Sequence, residues 1–523
     1  MTDTQPRATR RMIQMADAIM NRLYGWRSNP LHQSGTIAVA MLLVLLATGL
    51  YLVLVYRVGS PAASVAALAA DPWLGGWIRT LHRYASDIFV VAAVIHSFRL
   101  WAQRRTWGTR SLAWVSGLSL FGLGLACAWT GFVMAWDSFG YRLAVAGGRL
   151  FDVLPILSEP VSRIFAGDAP VPSAFFFVNL FLHIALPLAM GIGLWLHVSR
   201  VARPVLLPPK PLLWGTVIAL TVLSVLWPAP LGPGADPLIL TTDTPINLVT
   251  SWWLPLVERW PPGVTWALLS VLGIGLMAVP RLTRQPRMGE HAPSVVDPAL
   301  CTGCDQCPQD CPWDAITMVP RTDDRPNLVA LVDPARCVSC GICAGSCAPM
   351  GVGPGGRTGR DQLALLRSIT FPRFREQPRT VLICCSQTPA DHQRALESRG
   401  ALLHPVSCVG NLHSSVVELL IRGGARAVMI GGCPPRDCLG REGPRWLHER
   451  LFEEREAELQ ARVDRRLVRT MTLAPGALAE ALAEWDRFQA EVETIDSAPQ
   501  NSPDSMELML ECDPVDLGTG VTR

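Results

Sequence analysis

Long apolar runs fill one half of this chain, and mixed polar sequence fills the other. Between residues 33 and 281, hydrophobic stretches recur with short polar loops between them. An α-helix needs about 20 consecutive apolar residues to cross a bilayer. We therefore predict six membrane-spanning helices, at residues 34–56, 76–101, 112–135, 174–200, 212–229 and 264–281. Residues 285–523 lack such runs and are predicted to be soluble.

The distribution of charged residues predicts how the chain is oriented in the membrane. The net charge of +3 is too small to indicate nucleic-acid binding. Basic residues are concentrated before the first predicted span and after the second, fourth and sixth. Because Lys and Arg favour cytoplasmic loops, both termini and the soluble half are predicted to be cytoplasmic. The first apolar run is too long for a signal-peptide core and lacks a small-residue cleavage site, so we expect no cleavable signal peptide.

Two of the predicted spans carry histidine pairs. His82 and His96 are fourteen residues apart, and so are His183 and His197. Fourteen residues is just under four turns, so both imidazoles of a span lie on one face, about 21 Å apart. Such histidines can line a cavity or bond a neighbouring helix, but two equally spaced pairs favour two haems stacked across the bilayer. Since both spans are predicted to run inward, His82 should pair with His183 at outer depth, and His96 with His197 at inner depth.

Glycines repeat the same spacing on the first and third spans. Gly35 and Gly49 are fourteen residues apart, as are Gly117 and Gly131. Glycine lets another group approach a helix backbone closely, although small residues also serve ordinary helix packing in membranes. The matched spacing favours contact with haem.

Two arginines flank the first histidine pair. Arg79 lies three residues before His82, and Arg99 lies three residues after His96. Either arginine can pair with haem propionates or simply extend its charged end to the membrane interface.

The sequence of the membrane half resembles cytochrome b of the quinol-oxidising respiratory and photosynthetic complexes. The resemblance covers about residues 30–205 well and 210–281 weakly, and is carried by IRTLHRYASDIFVVAAVIHSFRLW and TGFVMAWDSFGY together with the histidines and glycines. It implies two b-type haems in a four-helix core, quinone sites near each membrane face, and a homodimer.

Departures from the cytochrome b pattern concern the quinone sites. The family's Pro-Trp after the third span is Ala135-Trp136 here, and its Pro-Glu-Trp-Tyr motif is absent. The corresponding stretch, NLVTSWWLPLVERW, offers only Glu258. This puts bifurcating quinol oxidation at the outer face in doubt. His32, at the inner end of the first span, is either a quinone contact near the inner haem or an ordinary interfacial histidine.

Cysteines mark the next segment. Two runs share the spacing C-x2-C-x2-C-x3-C, with 25 residues between them. In this bacterial ferredoxin pattern, three thiolates of a run bind one 4Fe–4S cluster and the fourth ligates the other cluster. Zinc is the alternative, but eight ligands at these spacings do not suit zinc ribbons. The predicted ligand sets are Cys301, Cys304, Cys307 and Cys347 for one cluster, and Cys311, Cys337, Cys340 and Cys343 for the other.

From about residue 378 the pattern becomes α/β. The runs TVLICC, LLHPVSC and AVMIGGC are predicted parallel strands that each end in cysteine, with helices between them. Ligands bind at the carboxyl ends of such strands. Cys384 or Cys385, with Cys408, Cys433 and Cys438, is therefore expected to form a four-thiolate site; a redox disulfide or zinc is the alternative.

This last segment resembles the delta subunit of methyl-viologen-reducing hydrogenases, chiefly through VSCVGNLHSSVVELLIRGGARAVMIGGCPPRDC. The resemblance implies a 2Fe–2S cluster and docking to a flavoprotein of the heterodisulfide-reductase type. The family's first motif spaces its two cysteines, whereas Cys384 and Cys385 are adjacent, so which of the two ligates stays open. Residues 440–495 are charged and predicted to be helical.

The predicted fold class is thus multi-domain: an α-helical membrane bundle, a ferredoxin-like α+β domain and an α/β parallel-sheet domain. The predicted divisions are a cytoplasmic segment 1–32, a membrane domain 33–284, a linker 285–297, a two-cluster domain 298–355, a 2Fe–2S domain 376–495 and a flexible tail 497–523.

Together these parts predict an electron-transfer chain. We find no nucleophile, acid–base pair or phosphate loop, so the predicted task is to place redox centres in series. The expected order is 2Fe–2S, two 4Fe–4S clusters, inner haem and outer haem. Predicted partners are a cytoplasmic flavoprotein dehydrogenase or heterodisulfide-reductase-like complex, quinone and the lipid of a bacterial inner membrane. One alternative is a membrane anchor and electron-transfer module without its own quinone site. The other is electron transfer from outer-face quinol to a low-potential cytoplasmic acceptor.

Overall fold

The chain begins with an element that the apolar pattern did not predict. In this computed structural model, α1 (Arg7–Tyr24) is an 18-residue helix that precedes the first long apolar one. The structure describes residues 7–496, apart from 104–105, 107–109, 156–158, 166–169, 200–203, 237–245, 283–291, 324, 375–377, 436 and 439. The predicted tail and most of the predicted linker lie outside the described residues.

Helices make up the membrane half. Its elements are α2 (Ser34–Val55), α3 (Pro61–Ala70), α4 (Gly75–Ala102), α5 (Ser111–Ala135), α6 (Ser138–Asp152), α7 (Ser173–Ser199), α8 (Lys210–Leu226), α9 (Leu254–Arg259) and α10 (Pro262–Leu282).

Five of these helices, α2, α4, α5, α7 and α10, are long and apolar enough to cross a membrane. The fifth predicted span corresponds to α8, which has 17 residues and is shorter than the others. Helix α2 packs along α4, and α5 packs along α7. Large apolar side chains such as Leu50 and Leu54 remain exposed on the outside. An outward apolar surface around hydrogen-bonded helices is what a lipid environment requires.

Two small antiparallel sheets follow the membrane half. Strand β1 (Val295–Val296) pairs with β4 (Val352–Gly353), and β2 (Ile316–Val319) pairs with β3 (Val329–Val332). Each cysteine run folds into a loop and a short helix, α11 (Gln306–Asp310) or α12 (Ile342–Ser346). The loop reverses through a left-handed residue directly before each helix, Asp305 in one run and Gly341 in the other. The repeated spacing therefore gives a repeated local fold.

A four-stranded parallel sheet forms the last domain, in the order β6-β5-β7-β8. Its strands are β5 (Thr380–Cys385), β6 (Leu402–Val406), β7 (Ala427–Gly432) and β8 (Val468–Thr472), and its helices are α13 (Gly359–Phe374), α14 (Ala390–Ser398), α15 (Ser414–Arg422), α16 (Gly443–Phe452) and α17 (Leu478–Asp496). Every residue of β5 and β7 is buried, as expected of central strands covered on both faces. The all-helical prediction for 440–495 missed β8.

Buried polar contacts join the two cysteine-bearing domains. The Arg450 guanidinium is 1% exposed and donates to Ser346 Oγ at 2.9 Å and to the Gly410 carbonyl at 2.9 Å. Asn411 Nδ2 donates to the Gly341 carbonyl at 3.0 Å. Because buried polar groups are costly unless paired, these contacts hold the domains in one arrangement.

Helix α1 connects the membrane half to the last domain. Asn21 Nδ2 donates to the Pro475 carbonyl at 2.6 Å. A Cβ on Gly476 would lie only 2.5 Å from Ala18 Cα, so glycine allows this close approach. The C-terminal domain therefore packs directly against α1.

Candidate metal centres

The histidine pair predicted at outer depth comes together between α4 and α7. The ring centroids of His82 and His183 are 6.3 Å apart. Metal–imidazole bonds are about 2 Å long, so one iron atom fits between the two rings. The predicted partnership of His82 with His183 is thus compatible with the geometry.

Hydroxyl groups orient the imidazoles of His82, His183 and His197. Thr48 Oγ1 lies 2.8 Å from His82 Nδ1, Thr130 Oγ1 lies 3.0 Å from His183 Nδ1, and Ser116 Oγ lies 3.1 Å from His197 Nδ1. Each hydroxyl also donates to a carbonyl of its own helix. It is then placed to accept from an Nδ1–H, which leaves Nε2 as the metal-binding nitrogen.

The glycines lie directly beneath the imidazoles. A Cβ on Gly35 would be 2.8 Å from the His96 ring, and a Cβ on Gly49 would be 3.3 Å from the His82 ring. The corresponding distances are 3.1 Å from Gly117 to His197 and 2.9 Å from Gly131 to His183. The glycines on α2 and α5 therefore leave space for the histidine rings of α4 and α7.

Sequence reasoning missed the residues before these glycines. Each of the four glycines follows a hydroxyl residue, in the pairs Ser34-Gly35, Thr48-Gly49, Ser116-Gly117 and Thr130-Gly131. The glycine admits the ring, and at three sites the preceding hydroxyl lies near its Nδ1. This repeated dipeptide is a signal that the sequence alone carries.

Replacing Gly131 with alanine is expected to lower the content of the outer haem selectively. The added methyl would lie 2.9 Å from His183 Cε1, so the ring must move away from its position. Redox difference spectra of the purified chain measure this, with the inner haem retained. The control is Gly122→Ala on the same helix, where no described atom lies within 4 Å of the new Cβ. Equal haem loss in both variants would contradict this explanation.

The two flanking arginines bind protein groups in the structure. Arg79 donates to the carbonyls of Ala229 at 2.9 Å and Pro230 at 3.4 Å. Arg99 donates to Asp17 at 2.7 and 2.9 Å and to Asp437 at 2.9 Å. The predicted pairing with haem propionates would have to compete with these partners.

The eight cysteines of the two runs line two cavities in the predicted sets. We call the first the distal cysteine site; its cysteines are Cys301, Cys304, Cys307 and Cys347. We call the second the central cysteine site; its cysteines are Cys311, Cys337, Cys340 and Cys343. The fourth cysteine of each run thus reaches across to the other run's cavity.

A third set of thiols converges beyond the carboxyl ends of β5 and β7. Cys385 Sγ and Cys433 Sγ are 3.3 Å apart, and the Cys433 thiol lowers the pKa of Cys385 by hydrogen bonding. A hydrogen bond to Cys438 raises the pKa of Cys408, and hydrogen bonds to Cys385 and Cys438 raise the pKa of Cys433. We call these four residues, Cys385, Cys408, Cys433 and Cys438, the C-terminal cysteine site.

The adjacent Cys384 does not join this group. Successive side chains of a strand point to opposite faces of the sheet. Cys385 packs with Val409 and Cys433, whereas Cys384 packs on the other face with Met429 and Trp485. Of the two adjacent candidates, the structure therefore brings Cys385 to the other thiols and places Cys384 apart from them.

These donor sets suit iron–sulfur clusters. Burial raises the pKa of Cys340 to about 12, so a bound cation is needed to hold this sulfur as a thiolate. Four thiols around a cavity or converging on one point supply the ligand count that a cluster takes.

A cluster of charged side chains links α1, α4 and the C-terminal domain. His32 is fully buried, with its Nε2 3.2 Å from Asp17 Oδ1 and 4.0 Å from Asp437 Oδ2. Arg99 binds both carboxylates, and Gln103 Nε2 donates to Asp437 at 2.8 Å. His32, Asp17 and Asp437 could geometrically hold a metal ion. The Arg99 guanidinium already supplies the positive charge between the two carboxylates.

Comparisons with known proteins agree with this arrangement. The family model for cytochrome b/b6/petB matches residues 25–203. The 4Fe-4S dicluster domain model matches 300–351, and the model for the delta subunit of methyl-viologen-reducing hydrogenase matches 383–496.

Among solved structures, a chain of a hyperthermophilic respiratory Complex III matches at 15% identity and a TM-score of 0.39. The match covers 48% of this chain and 75% of that one. Such a distant likeness establishes neither fold nor function. The family matches, by contrast, imply haem in the membrane half and iron–sulfur clusters beyond it, so this is a membrane protein of electron transfer. The chain is confirmed as a fusion of a cytochrome b-type domain, a 4Fe–4S dicluster domain and a hydrogenase delta-subunit domain, in that order.

Proposed function

We propose that this chain is the membrane subunit of a quinone-linked oxidoreductase complex. It carries electrons between a cytoplasmic flavoprotein or iron–sulfur partner and the quinone pool, through one 2Fe–2S cluster, two 4Fe–4S clusters and two b-type haems. The observation that carries this proposal is the direct contact between the C-terminal cysteine domain and α4, which bears His96: Asp437 accepts from Arg99 at 2.9 Å. A cysteine-bearing domain that is hydrogen-bonded to a haem-binding helix is well placed to pass electrons into or out of the membrane.

The chain's own residues position the cofactors. His82 with His183, and His96 with His197, would supply axial nitrogens to the haems, while the hydroxyls of Thr48, Ser116 and Thr130 hold three of these rings by Nδ1. The haems and clusters supply the one-electron chemistry when bound. The distal, central and C-terminal cysteine sites would supply thiolates to the clusters. We assign no catalytic acid or base.

The proposed location is a bacterial cytoplasmic membrane, with both termini and the iron–sulfur domains on the cytoplasmic side. The loops on that side are rich in Arg, including Arg110 and Arg281. The expected partner is a flavoprotein dehydrogenase or a complex of the heterodisulfide-reductase type, because the resemblance of residues 383–496 to the hydrogenase delta subunit implies docking to such a flavoprotein. A homodimer is part of the proposal through the cytochrome b resemblance.

We place the quinone contact at the inner face, beside His32. This residue lies three positions before Gly35, which packs against the ring of the inner ligand His96. A buried imidazole next to Asp17 offers a donor group to a quinone oxygen. Asp17 and Asp437, which lie beside His32, are ion-paired with Arg99. This arrangement also fits the alternative, in which His32 has only a structural role and joins α1 to α2.

The test is spectroscopic. Quinone analogues, added to the purified full-length chain, are expected to shift the spectrum of the inner haem, because a ligand beside His32 would lie close to it. A His32→Ala variant should lose this shift while keeping both haems. Unaltered haem spectra at saturating analogue would overturn the quinone proposal.

A second candidate function is an electron wire without its own quinone site. The observation favouring it is Glu258, the carboxylate in the region of the outer quinol motif. Both of its oxygens accept from Arg142, at 2.5 and 2.8 Å. A carboxylate held in a bidentate ion pair is poorly suited to take a proton from quinol. Purification from native membranes would separate the two: a co-purifying membrane oxidoreductase without a flavoprotein supports the wire.

A further inference from the structure

We infer that the C-terminal cysteine site is the soluble centre nearest the inner haem, and that the central and distal cysteine sites follow it outward in that order. This inference rests on the proposed function and refines it. It reverses the order expected from the sequence, in which the 4Fe–4S clusters lay between the 2Fe–2S centre and the membrane. Each step exchanges one electron between neighbouring centres, oxidising one and reducing the next, with no bond made or broken.

The first step of the argument is the contact with α4. Asp437 accepts from Arg99 at 2.9 Å and from Gln103 at 2.8 Å. Its chain neighbour, Cys438, belongs to the C-terminal cysteine site. Arg99 in turn lies three residues from His96, which is about 4.5 Å along the helix axis. One hydrogen bond, from Arg99 to Asp437, and three residues of helix therefore connect this cysteine site to an inner haem ligand.

The second step is the contact between the C-terminal and central sites. A Cβ on Gly440 would lie 3.2 Å from Cys408 Sγ and 3.8 Å from Cys340 Cβ, so this glycine is wedged between the two sites. Arg441 of the C-terminal domain donates to the Pro312 carbonyl at 2.7 Å, directly after the central-site residue Cys311. The central site is therefore the dicluster site that meets the C-terminal one.

The third step concerns the outer end of the series. Cys304 of the distal site is exposed, whereas Cys408, Cys433 and Cys438 are buried. An external electron donor or acceptor can approach an exposed thiolate cluster closely, while a buried one exchanges only with its neighbours. We therefore expect the soluble partner to dock at the distal cysteine site, around Cys304.

A competing route runs through Trp313. This residue follows the central-site ligand Cys311 by two positions, and the Arg110 guanidinium lies 4.3 Å from its ring. Arg110 precedes α5, and the inner ligand His197 meets that helix at Ser116. Six residues of helix span about 9 Å along the axis, twice the rise between Arg99 and His96. The route through Asp437 is the shorter of the two.

The test compares two cysteine variants of the full-length chain with the unmodified chain. Cys433→Ala removes one thiol of the C-terminal site, and Cys384→Ala removes a buried thiol from the opposite face of the same sheet. Each is reduced by rapid mixing with a low-potential protein donor, reduced ferredoxin or flavodoxin, in the absence of quinone. Haem reduction is followed optically, and the clusters are followed by electron paramagnetic resonance after rapid freezing.

With Cys433→Ala, we expect both 4Fe–4S signals to form while haem reduction is lost; Cys384→Ala should behave as the unmodified chain. Unchanged haem reduction in Cys433→Ala would overturn the inference in favour of the Trp313 route. A second measurement needs no variant. In the fully reduced unmodified chain, the 2Fe–2S signal should show spin–spin broadening from a neighbouring 4Fe–4S cluster, and an unbroadened signal would also overturn the proposed order. Because no quinone is present, these outcomes are independent of the quinone-analogue test.

Discussion

Replacing His82 or His183 with leucine is expected to remove the same haem, the outer one, and to leave the inner haem in place. The two rings face each other with centroids 6.3 Å apart, so either variant deletes half of one ligand pair. Leucine is close to histidine in size but has no donor atom for iron. The expected result is a chain with one haem of two, measured as haem per protein and by redox difference spectra.

The matched variants are His96→Leu and His197→Leu, which should each remove the inner haem instead. The four single variants therefore fall into two spectral classes, and combining His82→Leu with His183→Leu should remove no more haem than either alone. If His82→Leu and His197→Leu shared one spectrum, the proposed pairing of the four histidines would be wrong.

Replacing Asp310 with asparagine is expected to destabilise the two cysteine-bearing domains by about 3–5 kcal/mol, the usual cost of removing one partner of a buried ion pair. Asp310 is completely buried and accepts from Arg455 at 2.5 Å and from Ser346 Oγ at 2.6 Å. The Arg450 guanidinium, 1% exposed, lies 3.9 Å away. Without the carboxylate, Arg450 is left as a buried charge at the boundary of the two cysteine domains. Burial lowers the pKa of Arg450 to about 10, which means that its environment disfavours the charged form.

The measurement is chemical denaturation of the full-length chain in detergent, followed by the loss of iron–sulfur absorbance. The matched control is Glu493→Gln, which removes an exposed carboxylate 3.8 Å from Arg426. Exposed ion pairs contribute about 0–1 kcal/mol, so this control should change the midpoint little. A similar shift in both variants would mean that the buried Asp310 network does not hold the domains together.

The sequence was most informative where chemistry repeats at a fixed spacing. The fourteen-residue interval predicted that the two histidines of α4, and the two of α7, share one face. The glycines at the same interval were expected to contact haem, and the structure places them against the histidine rings. The spacing of the two cysteine runs predicted the lining of both cavities, including the exchange of the fourth ligand. These features are local, because helix geometry and tight loops dictate them within a few residues.

Local pattern was less reliable for elements without a long apolar run. Helix α1 and the short helices α3, α6 and α9 were not predicted, and β8 was taken for helix. In β8, only Val468 and Met471 are buried, and the half-buried Arg469 between them binds Glu491 on α17, so the strand lacks the alternate burial that would have indicated it. Residues 468–472 form a strand because they pair with β7. Local propensity takes no account of such a distant partner.

The sequence by itself indicated haem in the membrane half and iron–sulfur clusters beyond it, because the type and spacing of candidate ligands are properties of the chain. Only the tertiary structure decided how the sites adjoin. Cys384 and Cys385 are indistinguishable in the sequence, yet the packing of β5 turns only one of them toward the other thiols. Likewise, nothing near Asp437 in the chain indicates Arg99, which is 338 residues away. Such contacts arise from the docking of whole domains, and docking is governed by surfaces that form only after each domain has folded.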